Sequence, residues 1–224
     1  MYVTIPTERV RPAILTSLKT SKGQSAETHL KAGAYLFFEG DPVEWLYQVK
    51  SGVLRLTRLL EDGRRQVIAF GYPGDIVGFP TDGLHHTDCD VLVDVCLEPY
   101  SKNALDGKTS HTELHQALLQ AALREIGAMQ DHFMMLGRKS AIEKVASFLC
   151  VLSERVGTEL NGVTQVELPM CRSDIADFLG LTTETVSRTF TQLRKSGIIT
   201  IDNIYTIIIQ RPRALLCLSQ GDRQ

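Results

Sequence analysis

At 224 residues the chain is longer than one typical domain and predicts two, and 43% hydrophobic with 22% charged content is that of a soluble globular protein. Its 24 Lys plus Arg against 26 Asp plus Glu give a formal charge of -2, which excludes indiscriminate polyanion binding and leaves room only for a local basic surface. Five cysteines without a CxxC exclude a disulfide framework and a zinc ribbon, and no apolar run reaches signal-peptide or membrane-span length, so a cytoplasmic chain is expected.

Residues 1–22 read as an arm with one helical turn around Ile14, Leu15 and Leu18. From Lys31 short apolar runs alternate with turns at Gly33, Gly40-Asp41-Pro42, Ser51-Gly52, Glu61-Asp62-Gly63 and Pro73-Gly74-Asp75. The runs AYLFFE, WLYQV, VLRLTRLL and RQVIAFG are rich in β-branched and aromatic residues, which predicts an antiparallel sandwich or barrel over 23–110. DVLVDVCLEPY is a further strand, with Val91, Val93, Val95 and Leu97 on one face and Asp94 and Cys96 on the other. His85 and His86 read as a solvated pair in an exposed loop. Together with Cys89 they are not taken as a metal site, nor are His111 and His115, one helical turn apart and without a third ligand. Cys96 and Cys150 read as packing residues.

Beyond His111 the period changes. Leu119, Ala122, Ile126, Met129, Phe133 and Leu136 step by 3, 4, 3, 4 and 3 along a helix over 111–138, which is a heptad seam suited to dimerisation. A second strip, Leu114, Leu118 and Ala121, is placed to pack on the barrel. The region 139–224 opens with an amphipathic helix at 140–157 carrying Ile142, Val145, Ala146, Leu149 and Leu152 on one face. A polar loop at Asn161-Gly162 and a strand at Val163 to Leu168 follow.

Cys171 to Leu193, CRSDIADFLGLTTETVSRTFTQL, then reads as a helix-turn-helix. Ala176 allows close helix approach, Gly180 supplies the turn, Val186 fills the angle, and Thr182 or Thr183 caps the second helix. On that helix Val186, Phe190 and Leu193 face inward while Glu184, Ser187, Arg188 and Thr191 face outward, toward a DNA major groove. GIITIDNIYTIII predicts two strands joined at Asp202-Asn203 by a two-residue turn, which completes a winged helix.

The order of these parts, the glycine turns and the run Glu184-Thr-Val-Ser-Arg188 resemble the cyclic-AMP receptor protein/FNR (CRP/FNR) superfamily of transcription regulators, over about residues 23–210. The E-x-x-S-R form looks like that of the FNR and FixK branches; the receptor protein itself has Gly in place of Ser187. The resemblance implies an α+β fold with an N-terminal antiparallel β-roll, a long dimerisation helix and a C-terminal winged helix-turn-helix. It also implies a homodimer, expected to be an activator, that binds double-stranded DNA at TTGA-type inverted repeats and contacts RNA polymerase. Arg188 would then fork onto guanine, Glu184 accept from a cytosine amino group, and Ser187 touch a thymine methyl. Arg172, Thr182, Thr183 and Thr191 would contact the DNA backbone.

Cyclic-nucleotide-binding relatives hold the ligand phosphate with an arginine after the last Gly-Asp/Glu turn. Here no arginine lies between Arg65 and Arg124, and LHHTDCD carries Asp88 and Asp90. No cysteine precedes Cys89, so the cysteine set of an FNR-type iron-sulfur sensor is missing. No cofactor is therefore expected, and the resemblance narrows to the FixK branch, which implies control of low-oxygen metabolism or nitrogen fixation. Cys171, at a helix start beside Arg172, is read as an oxidation switch that turns DNA binding off. The alternatives are a haem- or small-molecule-gated regulator of the same superfamily and a cupin-like metalloenzyme. The adjacent His85-His86 pair has the wrong strand alternation for the latter.

Overall fold

The β-branched and aromatic runs between Thr28 and Ser101 form six strands in the computed structural model, which describes residues 27–105, 112–160 and 162–221. The N-terminal arm at 1–22 and His111 lie outside the described residues. The strands are β1 (Thr28–Leu30), β2 (Tyr35–Phe37), β3 (Trp45–Leu59), β4 (Arg65–Gly71), β5 (Ile76–Val77) and β6 (Asp88–Ser101). Every pairing is antiparallel, in the order β1-β6-β3-β4, with β2 also on β6 and β5 on β3. Phe37, Val49, Leu54, Leu56, Val91 and Leu97 fill the interior of this roll.

Two features of the roll differ from the sequence reading, for one reason. Ser51-Gly52 is no turn: β3 runs through it as a single 15-residue strand. Opposite it, β6 carries extra residues, since Ser51 pairs with Cys96, Val53 with Val93 and Leu54 with Val91. These bulges break the two-residue period and turn Val93 outward, 42% exposed, although Val91, Val95 and Leu97 stay buried. Gly52 is required at the irregularity. Its φ is +85°, and a Cβ there would lie 2.2 Å from the Asp94 carbonyl oxygen.

Helix α1 (Thr112–Arg138) has two apolar strips, as its sequence suggests. Leu118 is buried beside Leu46, Ile76 and Ala104, with Leu114 and Ala121 packed against the same cluster. Leu119, Ile126, Met129 and Phe133 are exposed, Phe133 by 75%. The described chain divides within α1 into two compact units, residues 27–129 and 130–221.

In the second unit α2 (Ala141–Val156) starts at Ser140, whose N–H donates to the Glu143 carboxylate at 2.7 Å. The expected strand after Asn161-Gly162 is β8 (Val163–Glu167), and an unexpected short strand, β7 (Thr158–Leu160), precedes it and pairs with it; α3 (Arg172–Leu179), α4 (Thr183–Lys195), β9 (Ile199–Ile201) and β10 (Thr206–Ile209) follow. The sheet order is β7-β8-β10-β9. The connection between β9 and β10 is longer than the two residues expected. Asn203 bends it by accepting from the Tyr205 N–H at 2.8 Å and donating to the Thr206 hydroxyl at 3.0 Å.

Beyond the expected winged helix the chain adds α5 (Pro212–Gln220), which starts on a proline and ends at left-handed Gly221. It is tied in by Lys139, whose ammonium donates to the Ser219 carbonyl at 2.8 Å and the Ser147 hydroxyl at 2.7 Å. Among the described residues no helix is long and apolar enough to cross a membrane.

Candidate nucleic-acid interface

The interface is built on the α3-α4 corner. α3 ends at Gly180 in the left-handed conformation, and the Leu181 N–H returns to the Ala176 carbonyl at 3.0 Å. α4 then begins with Thr182 as its cap, its hydroxyl accepting from the Thr185 N–H at 3.1 Å. Val186, Phe190 and Leu193 are buried against the corner. Glu184, Ser187 and Arg188 therefore share the opposite, solvent face; Thr182 and Thr183 are exposed and Thr191 is half-buried.

Glu184 and Arg188, one turn apart, pair at 2.5 Å while both remain more than two-thirds exposed. Such an exposed pair contributes only about 0.3–0.5 kcal/mol, so bases can replace it at little cost. The Ser187 hydroxyl donates to the Thr183 carbonyl at 2.9 Å, and that of Thr191 to the Ser187 carbonyl at 3.0 Å. The oxygen lone pairs remain as acceptors, but neither proton is free. Arg194 and Lys195 stand exposed in the last turn, a cationic end announced by the LRKSG run and absent from the expected contact residues.

Arg172 is turned inward. Its guanidinium lies 3.7 Å over the Phe190 ring, Nη1 is buried without a hydrogen-bond partner among the described residues, and burial lowers its pKa. Cys171 is the N-cap of α3 and exposed. Its N–H and its thiol both donate to the Asp174 carboxylate, at 3.2 and 3.0 Å, and Ser173 Oγ is 2.9 Å from the sulfur. The charge next to the sulfur is thus a carboxylate, where the sequence reading expected the Arg172 guanidinium.

Behind the corner, buried His132 of α1 packs at 4.3 Å on Phe178 of α3, which also meets Phe148 of α2. Burial pushes the imidazole down to about 4 despite a backbone hydrogen bond at Phe178.

In the roll, His85 is not solvated. It is buried, stacked 3.7 Å from the Phe37 ring and nearly parallel to it, and burial lowers its pKa; His86 is exposed. Cys89 is buried and burial raises its pKa, so these three residues do not converge as ligands on an open site. Arg55 donates twice to Asp90, at 3.1 and 2.8 Å. Cys150 is buried with its thiol pushed up to about 11, in keeping with packing, whereas Cys96 is on the outer face of β6 beside Glu27 and His29.

Residues 143–218 match the Crp-like helix-turn-helix domain, and residues 27–97 the cyclic nucleotide-binding domain. The nitrogen fixation regulation protein FixK of Rhizobium meliloti is 39% identical over 84% of each chain. This chain belongs to the CRP/FNR family of transcription regulators. The FixK protein of Bradyrhizobium diazoefficiens is 42% identical over 77% of this chain and 73% of its own. The structure of FixK2 from Bradyrhizobium japonicum superimposes with a TM-score of 0.78 at 33% identity, covering 86% of this chain and 96% of that one. As a CRP/FNR protein the chain is a DNA-binding transcription regulator of FixK type, and its relatives are regulators, not enzymes. That removes the cupin-like reading.

Proposed function

We propose that two copies of the chain pair along Leu119, Ala122, Ile126, Met129, Phe133 and Leu136 of α1, and that the dimer lays its two α4 helices into major grooves about 34 Å apart. The target is an inverted repeat of TTGA-type half-sites. The observation that carries this is the division of α4 into a buried face and an exposed face bearing Glu184, Ser187 and Arg188. Arg188 forks onto guanine O6 and N7, Glu184 accepts from cytosine N4, and Ser187 meets a thymine methyl, each bidentate pair contributing about 1–3 kcal/mol of discrimination. Thr182, Thr183 and Thr191 contact the backbone, joined by Arg194 and Lys195; Arg172 does so only by leaving Phe190. The protein acts in the cytoplasm as an activator that contacts RNA polymerase, with low-oxygen or nitrogen-fixation genes as its targets.

On this reading the roll takes no cyclic nucleotide, because the half-buried Arg55 is engaged by Asp90 and His85 is stacked on Phe37 inside the roll. Calorimetry with cyclic AMP and cyclic GMP is expected to give no binding at micromolar concentration. Cys171, exposed at the start of the reading motif, is the oxidation switch: a sulfinate there would add negative charge near phosphates and disturb the cap held by Asp174.

The direct test is a band shift on a TTGA palindrome and on its single-base variants. Arg188→Ala and Glu184→Ala should each lose preference at one base pair while keeping weak, salt-sensitive binding. Unchanged preference in both variants overturns the base-reading assignment. Peroxide should abolish the shift of the wild type and spare Cys171→Ser; equal loss in both overturns the switch.

A further inference from the structure

Strands β1 and β6 pair so that His29 lies opposite Cys96, and the two-residue strand period puts Glu27 on the same face. An imidazole, a thiol and a carboxylate thus converge on the outside of the roll, away from the DNA-reading corner in sequence and in unit. Cys96 Sγ is 3.3 Å from Glu27 Oε2 and 4.0 Å from His29 Nε2, and the last two atoms are 3.7 Å apart. Zinc held tetrahedrally by sulfur at about 2.3 Å, nitrogen at about 2.05 Å and oxygen at about 2.1 Å requires ligand-to-ligand edges of about 3.4–3.6 Å. All three observed edges are within about half an ångström of that, a gap that small rotations of exposed side chains close.

We propose that Glu27, His29 and Cys96 form a mononuclear zinc site whose fourth position is open to water. One soft, one borderline and one hard donor suit zinc, whereas magnesium and calcium demand oxygen ligands throughout. A single thiolate cannot hold an iron-sulfur cluster. The two anionic ligands balance the charge of the ion, and a cavity of about 270 Å³ whose lining includes His29, Lys31, Ser51, Asp94 and Cys96 leaves room for the water, the Lys31 ammonium being held by Asp94 at 2.7 Å. The hydrogen bond from Cys96 to Glu27 occupies the place of the metal, with a proton joining the two groups that the ion would join. A thiol must ionise to bind the ion, so zinc uptake releases a proton and tightens as pH rises. Bound zinc staples β1, a three-residue strand at the sheet edge, onto β6.

The test is a titration of zinc into reduced, tag-free, metal-stripped full-length protein, followed by calorimetry. One zinc per chain is expected. Cys96→Ser and His29→Ala should weaken it by at least about 100-fold, since outer-shell partners alone are worth 10- to 100-fold. Cobalt in place of zinc should give a thiolate charge-transfer band that is lost in Cys96→Ser and kept in Cys171→Ser. In the wild type, zinc should shield Cys96 from iodoacetamide, a readout that needs no variant to fold. Equal affinity in wild type and Cys96→Ser, a band that follows Cys171, or a Cys96 that alkylates equally fast with and without zinc each overturns the site.

Discussion

Single side chains set the conditions under which the reading corner holds together. His132 is kept neutral down to about pH 4 by its burial against Phe178, while in the unfolded chain it takes a proton near its ordinary 6.5. Its folded value is depressed, so its contribution is fully present above about pH 6.5, falls as pH drops toward 4, and levels off below that. Between those limits it accounts for up to about 3 kcal/mol, and His132→Gln should flatten the pH dependence in urea melts by that order. Gly52→Ala should cost about 2–3 kcal/mol in the same assay, because the new Cβ would meet the Asp94 carbonyl on a backbone of positive φ. Of the proposed site residues, the exposed placement of Glu184, Ser187 and Arg188 on α4 was legible in the sequence, since spacing on a helix fixes the face. Arg172 and His85 were not. Whether an arginine stacks on Phe190 or a histidine on Phe37 depends on rings that are brought near by tertiary packing.

Among the elements, those whose signal is local were readable and those that depend on a partner were not. Thr182 caps α4 with its own hydroxyl, and Gly180 turns the chain because no Cβ is present, so both appear as residue types at fixed offsets. The long strand β3 hides behind Ser51-Gly52, since a glycine with positive φ serves a turn and a bulge equally well. The convergence of Glu27, His29 and Cys96 follows from the β1-β6 register, which no periodicity in either strand reveals. α5 left a signal, Pro212 at its start and Gly221 at its end, but nine residues show too little period to be read alone. Thr182→Ala should lower stability by about 1 kcal/mol, read from the denaturation midpoint, and weaken operator binding as the first turn of α4 frays.

At the scale of the whole molecule the decisive quantity is the apolar surface that one copy leaves open. Leu119, Leu123, Ile126, Met129, Phe133 and Met134 are all exposed along α1, although Leu118 on the same helix is fully buried in the roll. A helix with one strip committed to its own domain and another facing water is suited to a second copy, and the proposed seam through Leu119, Ala122, Ile126, Met129, Phe133 and Leu136 has the 3-4 spacing of a coiled coil. Phe133→Asp discriminates sharply because Phe133 is 75% exposed in the single chain, so the change removes nothing from a protomer's core. Its secondary structure by circular dichroism should match the wild type, while sedimentation should shift from dimer to monomer. Affinity for the palindrome should fall by at least about 100-fold, because linking two half-site contacts raises avidity by about 10²- to 10⁴-fold, and binding to an isolated half-site should stay as weak as before. A Phe133→Asp protein that still sediments as a dimer would move the pairing surface off this seam and require another way to bring two α4 helices to one operator.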